Sequence, residues 1–119
     1  MESHPIVHVE IVSSDAKDAG KFYSDLFGWK IEVDERFNYV QFAVEPGPGG
    51  AFPAMDEQTG YKNPTVIPYI QTQDIEATLT QAEALGGKTQ VPKTEIPGVG
   101  WFGLFADPTG NTIGLYSVA

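Results

Sequence analysis

Cysteine is absent from the 119-residue chain. With it go disulfides, cysteine-ligated zinc, iron–sulfur clusters and thiol nucleophiles. Basic residues are scarce: seven Lys and Arg stand against 16 Asp and Glu, for a formal net charge of −9. Phosphate backbones reward a positive surface that releases counterions, so neither nucleic acid nor an anionic membrane is an expected partner. No apolar run approaches the roughly 20 residues that span a bilayer. The first five residues, Met1-Glu2-Ser3-His4-Pro5, hold no basic segment followed by an apolar one, and the expected location is cytoplasmic. Phosphate loops are missing too, since Gly47-Pro48-Gly49-Gly50 precedes a strand and no Gly-Lys-Ser/Thr follows it. Nor is there a Gly-x-Ser-x-Gly elbow for serine hydrolysis. The acidic balance confers solubility and favours a cationic ligand through long-range steering.

What is present is an internal echo. Ile6 to Val12 alternates branched apolar residues and meets Ser13-Ser14-Asp15; Val66 to Thr72 does the same and meets Gln73-Asp74. An offset of 59 residues lays Asp15 on Asp74, Leu26 on Leu85 and Gly28 on Gly87. Such a spacing marks two supersecondary units that share one domain. Ser14 or Asp15 caps a helix through Phe27 whose stripe is Ala19, Phe22, Tyr23 and Leu26, ended by Gly28. Asp74 caps a second, with Ile75, Leu79, Ala82 and Leu85, stopped by Gly86-Gly87. Three strands are expected after each helix. In the first half they are Trp29 to Asp34, Asn38 to Ala43 and a weak one near Ala51 to Met55. In the second they are Lys88 to Val91, Trp101 to Ala106 and Thr112 to Val118. The expectation is an α+β domain over 1–119, built as β-α-β-β-β twice, with modules 1–58 and 64–119 and a linker at about 56–64.

Side chains of a strand alternate between faces. Val7, Val9 and Ile11 share one face, and His8, Glu10 and Val12 the other. In the matching strand Val66, Pro68 and Ile70 oppose Ile67, Tyr69 and Gln71. The helix-free face therefore carries His8, Glu10, Tyr69 and Gln71. His8 and Glu10 are the best polar pair: imidazole binds metals or moves protons near neutrality, and a carboxylate two residues on can assist. A buried polar pair satisfied by its neighbours explains them equally well. Tyr39, Phe52, Trp101 and Tyr116 lie on expected strands, where each either packs the sheet or lines a ligand cavity. Trp101, after the Pro97-Gly98-Val99-Gly100 loop, is the one placed to stack on a ligand.

These pieces resemble the glyoxalase / bleomycin-resistance / extradiol-dioxygenase superfamily, the vicinal oxygen chelate fold. The resemblance rests on His8-Val9-Glu10-Ile11 with Asp15, on Phe22-Tyr23 with Leu26-Phe27-Gly28-Trp29, on Asp74-Ile75 with Ala84-Leu85-Gly86-Gly87, and on Phe105-Ala106-Asp107-Pro108-Thr109-Gly110-Asn111. It implies paired βαβββ modules in a curved mixed sheet around a cleft, commonly in a homodimer. Metal-dependent members ligate from the first and last strand of each module. Here those positions fall on His8, on Ile67, on Gly114 and around Ala51 to Ala54, so one of four is a donor. The resemblance implies a metal-independent protein without a cofactor.

Three functions remain open. One is a small-molecule-binding protein taking an aromatic or cationic ligand through His8, Glu10, Tyr39, Phe52, Tyr69, Gln71, Trp101 and Tyr116. Another is a lyase or isomerase-like enzyme with His8 or Glu10 as general base. The third is an interaction module with a filled cleft.

Overall fold

The computed structural model describes residues 2–62 and 65–119. Two compact units emerge: Val7–Ile67 forms one, and Pro68–Ala119 with the amino-terminal segment through Ile6 forms the other. The expected linker ends at Asn63 and Pro64, which lie outside the described residues.

In the first module the elements are β1 (Ile6–Ile11), α1 (Ala16–Phe27), β2 (Lys30–Asp34), β3 (Tyr39–Ala43) and β4 (Gly49–Ala51). Asp15 accepts from the Asp18 N–H at the start of α1, and Gly28 closes it in the left-handed region at φ 74°. Gly28 is the residue type for that cap because it has no Cβ to clash. β1 runs parallel to β4, β4 antiparallel to β3, and β3 antiparallel to β2.

The third strand after α1 starts earlier than its expected place: Gly49-Gly50-Ala51 forms it, taking in two glycines expected before the strand, and of Ala51 to Met55 only Ala51 belongs to it. Chain crowding explains the composition. A Cβ built on Gly50 would stand 1.8 Å from the Val9 carbonyl oxygen, and one on Gly49 2.6 Å from that of Phe42.

The α1 face also differs. Ala16, Ala19 and Tyr23 pack on the core of Val40, Phe42 and Phe52, while Phe22 and Leu26 are each 57% exposed. Gly20 is the reason. A Cβ there would meet Ile31 and Val40 at 3.2 and 3.3 Å, so the helix turns its small side to the sheet. Tyr23 then stacks on Trp29 at 5.1 Å and on Phe52 at 5.6 Å, and Trp29 stacks on Phe42 at 4.5 Å. Aromatic rings thus close the layer between α1 and β-strands.

The second module repeats the order with β5 (Val66–Gln71), α2 (Ile75–Ala84), β6 (Lys88–Ile96), β7 (Gly100–Ala106) and β8 (Thr112–Ser117). β6 is longer than the expected Lys88 to Val91, because it carries register shifts near Val91 and continues along β7 to Ile96. Asp74 caps α2 by accepting from the Ala77 N–H. Ile75, Leu79 and Leu115 form this module's core, with Ile70, Trp101 and Phe105 packed on it. The β7–β8 turn is fixed by Asp107, whose carboxylate accepts from the backbone of Thr109 and Asn111 and from both their side chains. Those donors, the Asn111 N–H foremost, hold its pKa down to about 2. No helix among the described residues is long and apolar enough to cross a membrane.

Candidate functional site

Alternation along β1 puts Val9 and Ile11 on the α1 core and turns His8 and Glu10 to the helix-free face. β4 lies beside them with His8 paired to Gly49 and Glu10 to Ala51. Gln41 of β3 pairs with the same Ala51, so Tyr39, two residues before, shares the face. Gly49 and Ala51 stand between and leave room for longer side chains from both flanks.

Glu10 is 7% exposed. A buried carboxylate requires donors, and it has them. The Tyr61 hydroxyl donates to Oε1 at 2.5 Å. The Tyr39 hydroxyl donates to Oε2 at 3.5 Å, and His8 Nε2 lies 3.3 Å from the same oxygen. Burial, then the negative charge of Glu10, then the bond to it push the Tyr39 phenol far above its ordinary pKa. Tyr39 therefore remains a proton donor throughout the neutral range.

Tyr61 was not among the expected site residues. It belongs to a segment that reads as a polar linker, yet that segment is built. The Asp56 N–H donates to the Tyr61 carbonyl and the Gly60 N–H to the Asp56 carbonyl, at 2.9 and 3.0 Å. The Asp56 side chain accepts from the Gln58 N–H. A single aromatic residue in an otherwise polar stretch was the available signal, together with Glu10's need for partners.

Tyr39 and Tyr61 also line a cavity of about 820 Å³. Its walls include Phe37 and Met55, with the carboxylates of Asp15, Asp56 and Glu57 and one cation, Lys17. Phe37 is positioned through its neighbours: Asp34 accepts from the Arg36 guanidinium, which lies 5.3 Å over the Phe37 ring. The same guanidinium holds the Asp34 carboxyl below its ordinary range. Phe52 reaches this cavity, but its ring is built into the aromatic core, 1% exposed.

In the second module register sets the faces. Tyr69 pairs with Gly114 and Gln71 with Tyr116, while Phe102 pairs with Tyr116 and Trp101 with Ser117. Tyr69, Gln71 and Tyr116 thus share the helix-free face. Trp101 does not: it packs on the α2 core, with Lys93 Nζ 4.7 Å over its ring. Tyr116 donates to the Val99 carbonyl at 2.8 Å, and the Gln71 carbonyl accepts from His4.

The donor set does not fit a divalent ion. Among the described residues no three His, Cys, Asp or Glu side chains converge. Where a second-module ligand would stand, the Tyr69 ring lies over Gly114, close enough that a Cβ there would be 2.5 Å from Cδ2. The first-module counterpart falls on Gly49 to Ala51, which carry no donor side chains.

The model of the Glyoxalase/Bleomycin resistance protein/Dioxygenase superfamily matches residues 5–115. The chain belongs to this superfamily. Within it, the chain is similar to a glyoxylase-like domain-containing protein of Didymella fabae, 32% identical over 112 residues that cover 87% of this chain and 86% of that one. It is 26% identical over 123 residues to CFP32 of Mycobacterium bovis, matching 91% of this chain but 43% of the relative. The chain thus spans less than half the length of that relative. Among solved structures, methylmalonyl-CoA epimerase from Mycobacterium tuberculosis superposes with a TM-score of 0.70 at 16% identity, over 100% of this chain and 93% of the other. At that identity the likeness is one of fold.

Proposed function

We propose that this superfamily member is a metal-independent small-molecule-binding protein whose site is the first-module cavity beside Glu10. The observation that carries the reading is the buried Glu10 carboxylate with two tyrosine hydroxyls on it, both tyrosines lining the cavity. Aromatic walls at Phe37, Tyr39 and Tyr61, with three carboxylates against one lysine, suit an aromatic or cationic ligand. The test is calorimetric titration of aryl-ethylammonium ions, after dialysis against a chelator, with carboxylate analogues as controls. Binding by the ammonium series that survives the chelator supports the reading; preference for the carboxylates overturns the charge assignment.

A second reading has its own observation. His8 Nε2 lies on the same Glu10 oxygen as Tyr39, the kind of cluster that moves a proton to or from a bound substrate. Under it Glu10 or His8 is the general base of a lyase or isomerase-like reaction. Glu10-dependent exchange of a ligand carbon-bound proton with D2O would favour the enzyme; stoichiometric binding without exchange favours the binding protein.

A further inference from the structure

The second module leaves open a space that the first one fills. The 59-residue offset lays Tyr23 of α1 on Ala82 of α2. Both helices start on matching aspartates, each accepting from the N–H three residues on, so the two positions are equivalent along their helices. In the first module Tyr23 stacks on Trp29 and Phe52. Ala82 offers only a methyl group. With Ala77 and Thr78, it borders a groove of about 780 Å³ between α2 and its own sheet. Ile70, Phe105 and Leu115 line the sheet side, and all three belong to or pack on the α2 core.

The groove has polar character at its margin. Glu2, Asp74 and Asp107 line it together with the imidazole of His4, which lies 3.8 Å from the Glu2 carboxylate, and no lysine or arginine does among the described residues. Asp107 is held ionised by the donors of Asn111 and Thr109. Long apolar walls with carboxylates at the edge match one ligand shape: an apolar body with a cationic end.

We propose that this groove is a second small-molecule site, for a straight alkyl chain ending in an ammonium group. The apolar walls take the chain, and the carboxylates of Glu2, Asp74 and Asp107 favour the ammonium and repel a carboxylate head. The site is independent of the Glu10 cluster, because every residue lining it belongs to the second unit.

The experiment is a titration of protein labelled at the Ile and Leu methyl groups with n-octylammonium, below its micelle-forming concentration. The Ile70 and Leu115 resonances are expected to shift saturably. Each methylene removed from the chain weakens binding about threefold to fourfold, so n-hexylammonium binds roughly tenfold less tightly. Octanoate gives no saturable shift over the same range. Ala82→Phe restores the bulk that Tyr23 supplies in the first module and lowers octylammonium affinity at least tenfold. Ala82→Leu, a smaller intrusion, keeps the test open if the phenylalanine variant folds poorly, and it loses affinity to a lesser degree. The proposal is overturned if octanoate binds as tightly as octylammonium, if both Ala82 variants bind like the parent, or if the Ile70 and Leu115 methyls do not respond.

Discussion

The Tyr61 hydroxyl donates to Oε1 of Glu10 across 51 positions of the chain. This bond ties the turn at Asp56–Tyr61 to the strand that carries the site's carboxylate. Tyr39 supplies a second donor from β3, so the carboxylate is partnered from two separate elements.

Removing one donor should destabilise the first module without unfolding it. Tyr61→Phe is expected to cost about 1.5–3 kcal/mol, the net worth of a hydrogen bond to a charged group. Tyr39→Phe, whose bond is longer, should cost about 1 kcal/mol or less. The double variant should cost more than the sum, because Glu10 would then lose both hydroxyl donors. Urea unfolding of the four proteins measures this, and strict additivity would mean that the two hydroxyls do not share the carboxylate's desolvation.

Alkaline pH should expose Tyr39. Its folded pKa is raised, so the folded state holds the phenolic proton more tightly than the unfolded chain. By linkage, that contribution to stability is whole below the ordinary tyrosine value of 10.0 and declines as pH rises beyond it. Ultraviolet titration of tyrosinate absorbance should show one phenol ionising after the others, or only on unfolding. Tyr39→Phe should remove that late step and flatten the loss of stability above pH 10.

The β1–β4 contact is intolerant of a side chain. Gly50→Ala places its Cβ against the Val9 carbonyl and the Phe42 ring, and should destabilise by on the order of 3 kcal/mol or more. Gly47→Ala meets nothing within 4 Å and adds only backbone strain at φ 133°, about 1–2 kcal/mol. Denaturant midpoints should separate the two variants clearly. Equal midpoints would argue that β4 does not run beside β1 as described.

The repeat was legible because its punctuation is local. Asp15 and Asp74 cap their helices and Gly28 ends α1, all through contacts within a few residues. His8 and Glu10 reached one face by strand alternation alone, whereas Tyr39 joins them only through the β3–β4–β1 register. β4 was not legible, since Gly49-Gly50-Ala51 has no apolar alternation and is chosen for closeness to Val9 and Phe42. The α1 stripe was legible as a helix but not as a face: Phe22 and Leu26 fit the apolar spacing, and Gly20 instead faces the sheet. Trp101 does follow the glycine loop, but register with Ser117, which the local sequence does not carry, turns its ring to α2. Tyr61 was hidden because its partner is remote and its own segment is polar.

The most direct test is to locate a bound ligand by chemical-shift mapping with 2-(naphthalen-2-yl)ethylammonium in chelator-treated buffer. Phe37, Tyr39, Met55 and Tyr61 are expected to respond together and saturably, and Glu10→Gln to weaken the interaction at least tenfold. Shifts that avoid these residues, or binding that appears only when a divalent metal is restored, would contradict this site.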